Sequence, residues 1–221
     1  MAAAHRVLSP AGASCYYSVV LKMLDHLVYV ARDLAAAVEE HKRRGFTVTP
    51  GGEHAGGVTH NALVCFADGS YLELVAFRRP DPTHRWWRHA STGGFADFAV
   101  LSDDLAQDVS ALNDLVVREP AEGGRTRPDG VSLRWRAAFL RAPLPFVIED
   151  LTPRDLRVPG GDATRHANGV TGVANLVVAA RDQRVVDEGY GRLRARGAPA
   201  IQMAHAEVDG LTDVSYRGLK T

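Results

Sequence analysis

The stretch LDHLVYVARDL, Leu24–Leu34, predicts a β-strand that runs directly into a helix. Its apolar run is typical of a strand, and Asp33 is typical of a helix N-cap ahead of an Ala-rich segment that closes at Gly45. The same plan of strand, Asp cap and helix recurs from Phe95 and again from Val173. Three copies of one unit therefore organise the chain.

Each of the first two units continues with three β-rich runs after its helix. The first unit continues with FTVTP and THNALVCFADGSYLELVAF, in which Asp68 and Gly69 indicate a hairpin turn, so it has the order βαβββ. VVREP, VSLRWRAAF and LPFVIEDL repeat this order in the second unit, whereas the third unit reaches Thr221 before its last strand. The predicted boundaries are a disordered extension at 1–22, two modules at 23–77 and 95–151 joined by linker 78–94, a linker at 152–168, and a truncated third module at 169–221.

The composition excludes several classes of protein. The 221 residues carry no formal net charge and are 46% hydrophobic, so no global field favours nucleic acid or an anionic membrane. The two cysteines supply neither a disulfide framework nor a thiolate metal motif, and no apolar run is long enough to span a membrane. No phosphate-binding loop or dinucleotide fingerprint is present. We expect a cytoplasmic protein with a small-molecule ligand, no nucleic-acid partner, no membrane and no nucleotide cofactor.

The two complete modules resemble the paired modules of the vicinal oxygen chelate superfamily, and more narrowly the glyoxalase-like domain family. LDHLVYVARDL, GGVTHNALVCFADGSYLELVAF, HRWWRHASTGGFADFAVLSDDL and PFVIEDLTP followed by HANGVTGVANLVV carry the resemblance, roughly over residues 24–182. It implies an α+β fold in which the paired βαβββ modules form a cupped mixed sheet, with helices on the outer face and a partial third module added. It also implies that metal ligands from the first and last strand of each module meet in the cup.

The alternation of side chains along a strand tests this expectation on the residues themselves. The helix needs an apolar sheet face, which Leu27 and Tyr29 can supply, so His26 should point into the cup. Leu24, Val28 and Val30 should share the face of His26. Glu73 is the one charged residue within its strand, where an unpaired buried carboxylate would be costly, so it needs a partner.

Matching the modules extends the candidate site to four residues. LVYVARDL over FAVLSDDL places Asp97 at the position of His26, and YLELV over FVIED places Glu149 at the position of Glu73. Imidazole and carboxylate ligands suit Zn²⁺, Fe²⁺, Mn²⁺ or Ni²⁺ and leave open positions for water or substrate oxygens. We therefore predict that His26, Glu73, Asp97 and Glu149 bind a divalent metal, and the resemblance implies that Glu73 or Glu149 also serves as a catalytic base.

Structural roles compete with each of these functional roles. His26 could be a buried structural histidine bonded to Asp25, Glu149 could be a solvated strand-end acid, and Asp97 is one methylene shorter than a glutamate. His60 shares a face with Glu73 in our reading of the hairpin register, so it is a candidate catalytic proton carrier, but it could equally cap a loop.

Two functions remain open at this level. One is a metal-dependent enzyme with lyase, isomerase or dioxygenase chemistry on a small metabolite with adjacent oxygens. The other is a metal-free binding protein that holds an apolar or aromatic ligand in the same cup.

The apolar face of the third unit must pack on the modules or on a second chain. We expect a homodimer through this face, with a poorly ordered tail beyond about Asp209.

Overall fold

The computed structural model describes residues 5–8, 14–17, 21–193 and 200–220. Residues 1–4, 9–13 and 18–20 of the predicted disordered extension lie outside the described residues. In its described part, residues 5–8 pair antiparallel with residues 14–17, and the next strand begins at Leu21. The strands are β1 (His5–Leu8), β2 (Ser14–Tyr17), β3 (Leu21–Val30), β4 (Thr49–His54), β5 (Thr59–Cys65), β6 (Tyr71–Phe77), β7 (Gly94–Ser102), β8 (Val116–Thr126), β9 (Ser132–Leu140), β10 (Phe146–Asp150), β11 (Gly172–Ala180), β12 (Ala200–His205) and β13 (Gly210–Arg217). The α-helices are α1 (Leu34–Arg43), α2 (Leu105–Ala111), α3 (Arg154–Arg157) and α4 (Gln183–Arg192).

Eight strands close into one barrel in the order β10-β7-β3-β6-β5-β4-β8-β9. The first strands of the two modules, β3 and β7, pair antiparallel, and each pairs in parallel with the last strand of its own module, β6 or β10. An approximate twofold relation between the modules follows from this arrangement. The predicted α+β fold with two βαβββ modules around a cupped mixed sheet is confirmed.

The helices begin where the sequence predicts N-caps. The Asp33 side chain accepts a hydrogen bond from the backbone N–H of Ala36 at 2.9 Å, and the Asp104 side chain accepts one from Gln107 at 3.0 Å. Gly45 follows α1 with a φ of 82°. The described helices contain at most ten residues. In the described part of the chain, none of them is long and apolar enough to cross a membrane.

The predicted faces of β3 are correct except at its start. Leu27 and Tyr29 lie on the outer face, where the Tyr29 ring contacts His41 of α1, and His26 faces the barrel interior. Leu24 is the exception, since it packs with Leu27 in the outer core. The register shifts between residues 24 and 26, so Asp25 is an extra residue in a β-bulge, and a one-residue shift moves Leu24 to the other face.

The partial third module is a three-stranded sheet with the order β12-β11-β13. Val173, Leu176 and Val178 of β11 are buried in the same core as Leu27 and Phe98 on the outer face of the barrel. The apolar face of this module is therefore covered within the chain, which is the first of the two arrangements expected. The expectation of a poorly ordered tail beyond Asp209 is wrong, because β13 pairs along β11. The homodimer stays a prediction.

Candidate functional site

The barrel holds a partly open cavity of about 280 Å³. One part of its wall is polar and is built from His26, His54, Asn61, Glu73, Arg125 and Arg157. The rest is largely aromatic and is built from Tyr71, Trp86, Trp135, Phe139 and Phe146. A concave site with a few converging polar groups and apolar walls is typical of small-molecule binding.

His26 lines the cavity and also contacts the buried carboxylate of Asp25. Its ring stacks on Tyr71 with centroids 4.6 Å apart, and its side chain is 4% exposed. Nδ1 lies 2.5 Å from Oδ1 of Asp25, while Nε2 lies 3.5 Å from Oε2 of Glu73. Because an ionised carboxylate can only accept hydrogen bonds, the Nδ1–H group donates a hydrogen bond to Asp25. The nitrogen available for chemistry is therefore Nε2.

Asp25 is fully buried and is held by two arginines of α3. Arg157 donates to both of its oxygens at 2.8 Å, and Arg154 donates to Oδ2 at 2.5 Å. Burial raises the pKa of Asp25, but the charge and hydrogen bonds of Arg157, followed by those of His26, hold it well below its usual range. Asp25 is thus ionised and fixed, which orients the imidazole of His26.

Glu73 lies between two histidines. Its Oε1 accepts a short hydrogen bond from Asn61 and lies 3.2 Å from Nε2 of His54, whose Nδ1 is 2.8 Å from the Thr59 hydroxyl. Burial raises the pKa of Glu73, but the hydrogen bond of His54, the charge that His54 and His26 carry when protonated, and the Asn61 hydrogen bond together lower it to about 2. Glu73 is therefore a permanent buried anion at neutral pH.

This depressed pKa predicts the acid sensitivity of the fold. A carboxyl whose pKa is lower in the folded state stabilises the protein fully above its ordinary pKa of 4.5, and this stabilisation is lost as the pH falls toward 2. We expect wild-type protein to lose more unfolding free energy between pH 4.5 and 2 than the Glu73→Gln variant does. Urea unfolding at several pH values in this range measures the difference. Parallel curves for the two proteins would contradict the assignment.

Glu149 does not meet His26 and Glu73, so its predicted position inside the cup is wrong. Phe146 and Ile148 of β10 line the cavity, and Glu149 therefore points to the opposite face. There it accepts hydrogen bonds from its cross-strand neighbour Arg136, at 2.5 Å from Nη2 and 3.0 Å from Nε.

The twofold relation identifies the residue that replaces Glu149. Glu73 and Asp97 lie in one row across β6, β3 and β7. In the symmetric row across β10, β7 and β3, Phe146 stands where Glu73 stands, and His26 stands where Asp97 stands. The local likeness of YLELV to FVIED misaligned the modules by three residues.

Asp97 has the position that the sequence predicted, but its carboxylate is engaged. Its Oδ2 accepts from Arg85 Nε at 2.5 Å and from Trp86 Nε1 at 3.0 Å, and its Oδ1 accepts the backbone N–H of Phe98. Arg85 and Trp86 come from the linker that crosses the barrel. Asp97 therefore anchors this linker through a buried ion pair.

His60 lies on the outer face of β5, so its predicted place beside Glu73 is wrong. The prediction assumed a two-residue turn, which would set Val64 opposite Glu73. The backbone of Phe66 instead bonds Ser70, so three residues form the turn and Leu63 lies opposite Glu73. An added turn residue exchanges the two faces of the strand relative to its partner.

Four polar residues of the site were not predicted: His54, Asn61, Arg125 and Arg157. Asp25 was named only as the partner of a buried structural His26, and this contact is present. Asn61 was detectable in principle, because a three-residue turn moves it to the face of Glu73 in place of His60. The two arginines carried no signal, since each reaches the cavity from a distant segment. Without knowledge of the bulge, the alternation of side chains along β3 predicts that Asp25 faces away from the cup.

The side chains of this site can be compared with the four-ligand metal centre that the resemblance implies. Glu149 faces away from the cavity and Asp97 is paired with Arg85, which leaves His26 and Glu73 in mutual contact. No group of three or more His, Cys, Asp or Glu side chains in the described ranges has an arrangement that could hold a metal ion. The residues present therefore do not fit the four-ligand centre that the resemblance implies.

Comparisons with known proteins support the fold. The model of a family described as glyoxalase-like domain matches residues 24–194. A hypothetical protein from Staphylococcus aureus shares the fold with a TM-score of 0.66 at 11% identity, over 85% of this chain and 87% of that chain. No match was found among curated proteins.

Two methylmalonyl-CoA epimerases are more distant in structure. One, a Streptomyces coelicolor variant in complex with 2-nitronate-propionyl-CoA, has a TM-score of 0.45 at 19% identity over 60% of this chain and 99% of that chain. The other, from Mycobacterium tuberculosis, has a TM-score of 0.47 at 18% identity over 62% and 93%.

Proposed function

Because the chain belongs to the glyoxalase-like domain family, we propose that the barrel cavity is the active site of an enzyme that transfers a proton on a small metabolite. The observation that carries the proposal is the geometry of His26. Its Nδ1 is fixed by the buried carboxylate of Asp25, and its Nε2 lies 3.5 Å from Glu73 in the cavity wall. A histidine held in this way is suited to general acid–base catalysis.

The reaction that suits these groups is proton transfer next to a carbonyl. In its neutral form, His26 takes the proton at Nε2 as the C–H bond breaks, and the electron pair moves to the carbonyl oxygen to form an enol or enolate. The carboxylates of Asp25 and Glu73 stabilise the imidazolium that results. Return of the proton to another carbon, or to the opposite face of the same carbon, completes an isomerisation.

A metal-dependent reaction is the competing proposal. His26, His54 and Glu73 are nitrogen and oxygen donors of the kind that Zn²⁺, Fe²⁺, Mn²⁺ and Ni²⁺ accept. It requires both imidazoles to exchange their contact with Glu73 for a metal ion, and the present arrangement of donors favours the metal-free reaction.

The test uses protein purified without chelator or affinity metal, incubated in D₂O with phenylpyruvate or mandelate. Both compounds carry adjacent oxygens and a flat ring that suits the aromatic wall. We expect deuterium to enter the carbon next to the carbonyl or carboxyl group faster than without protein, and EDTA to leave the rate unchanged. Exchange that requires added Mn²⁺, Fe²⁺, Ni²⁺ or Zn²⁺ would support the competing proposal instead.

A metal-free binding protein is the second candidate function. The aromatic wall favours it, because Trp86, Trp135 and Phe146 offer a large apolar surface to a ligand that need not react. Quenching of tryptophan fluorescence by phenylpyruvate without any deuterium exchange would favour this candidate over the enzyme.

A further inference from the structure

Arg125 is a buried cation in the cavity wall that has no carboxylate partner in the described part of the chain. It comes from β8, is 4% exposed, and lines the cavity. Its Nη1 donates to the side-chain oxygen of Asn61 at 3.2 Å, and its Nη2 donates to the backbone carbonyl of Arg157 at 3.1 Å. Both acceptors are neutral. A guanidinium has five N–H donors, and burial of an unpaired charge is costly.

The other buried charges around the cavity are balanced among themselves. The carboxylates of Asp25 and Asp150 share four ion pairs with Arg154 and Arg157, which gives two charges of each sign. This cluster leaves no carboxylate for Arg125.

Two further carboxylates line the cavity. Glu122 pairs with Arg134 at 2.7 Å. Glu73 is in contact with His26 and His54, and reaches Arg125 through the Asn61 amide. Burial lowers the pKa of Arg125, which reflects the cost of holding its charge away from water. An anion bound in the cavity would offset this cost.

An apolar surface lies next to this cation on the same pair of strands. Trp135 of β9 lies opposite Gly123, two residues before Arg125 on β8. A Cβ atom at Gly123 would come within 2.5 Å of the indole nitrogen, so the ring lies directly over the glycine backbone. Phe139 and Phe146 continue the apolar surface, with ring centroids 5.1 Å apart.

We propose that the ligand of this cavity is a carboxylate on a flat apolar body, and that Arg125 receives the carboxylate while the ring packs against Trp135. The claim that this ligand is a substrate rests on the proposed function. A guanidinium binds a carboxylate through two parallel hydrogen bonds, which gives both affinity and orientation. The orientation would present the carbons between the carboxylate and the ring to the polar wall that holds His26.

The experiment compares phenylacetate with phenylacetamide, which has nearly the same shape and no charge. Quenching of tryptophan fluorescence and calorimetry measure the two dissociation constants. Because a hydrogen bond to a charged group contributes about 1.5–3 kcal/mol, we expect wild-type protein to prefer phenylacetate by about ten- to hundredfold. Equal affinity of the wild type for the two compounds would overturn the inference.

Variants then assign the preference to Arg125. Arg125→Gln should bring the ratio close to one, and Arg125→Lys should retain part of it. Arg127→Gln is the matched control, because Arg127 follows β8 and pairs with Asp129 near the surface; its ratio should match the wild type. A ratio that survives Arg125→Gln, in protein whose melting curve shows that it is folded, would also overturn the inference.

Failure of the proposed function gives a different result. If phenylacetate is preferred through Arg125 but neither phenylpyruvate nor mandelate exchanges protons, the carboxylate site stands and the enzyme proposal fails. If proton exchange occurs while the two phenyl probes bind equally, the enzyme proposal stands and the role of Arg125 fails.

Discussion

Replacement of Arg157 by alanine is expected to lower the free energy of unfolding by about 3–5 kcal/mol, because it leaves a buried carboxylate without its main partner. Arg157 is almost completely buried and donates to both oxygens of Asp25, whose exposure is 0%. It also donates to Asp150 and to the Tyr71 hydroxyl. Arg154 reaches Asp25 through one nitrogen only, so it cannot replace the lost contacts.

A surface ion pair in the same linker is the matched control. Arg165 pairs with Asp162 at 2.5 Å, and both side chains are largely exposed. Exposed pairs contribute about 0–1 kcal/mol, so Arg165→Ala should unfold at nearly the same urea concentration as the wild type. Similar losses in the two variants would show that the Asp25 network does not hold the base of the barrel together.

Replacement of His26 by glutamine is expected to slow proton exchange on phenylpyruvate by about 10²–10⁴-fold, the usual contribution of a general acid–base group. Glutamine keeps a polar side chain of similar length in β3 but cannot take a proton from carbon at neutral pH. The measurement is the initial rate of deuterium incorporation at saturating phenylpyruvate. Fluorescence quenching should show that the variant still binds the compound.

The control for this variant is a buried histidine outside the cavity. His41 lies in α1, and its Nδ1 is 2.8 Å from the carbonyl oxygen of Ala37. His41→Gln should exchange protons at the wild-type rate because this side chain lies on the outer face of the barrel. An unchanged rate in folded His26→Gln protein would remove His26 from the reaction.

Local sequence patterns predicted much of the fold correctly. The Asp caps at Asp33 and Asp104 and the apolar runs before them depend on neighbours within a few residues, so they identify the modules directly. The alternation of β3 likewise predicted that His26 faces the cup and that Leu27 faces the helix, because side-chain direction in a regular strand depends on position alone.

Register was decided only in three dimensions. The bulge at Asp25 and the three-residue turn before Ser70 each add one residue, and each change exchanges the faces of a strand. His60 and Asn61 exchange roles for this reason. The prediction for Glu149 was wrong because the two modules were matched on a short sequence likeness instead of on the pairing of their strands.

The sequence by itself determined the repeated βαβββ modules, the inward His26 and the need of Glu73 for a partner, since these follow from periodicity and from the cost of a buried charge. The tertiary structure decided which partners meet. Arg157 lies 132 residues from Asp25, and Arg125 lies 64 residues from Asn61. Contacts over such separations depend on closure of the barrel, which brings residues together without leaving a local pattern in the chain.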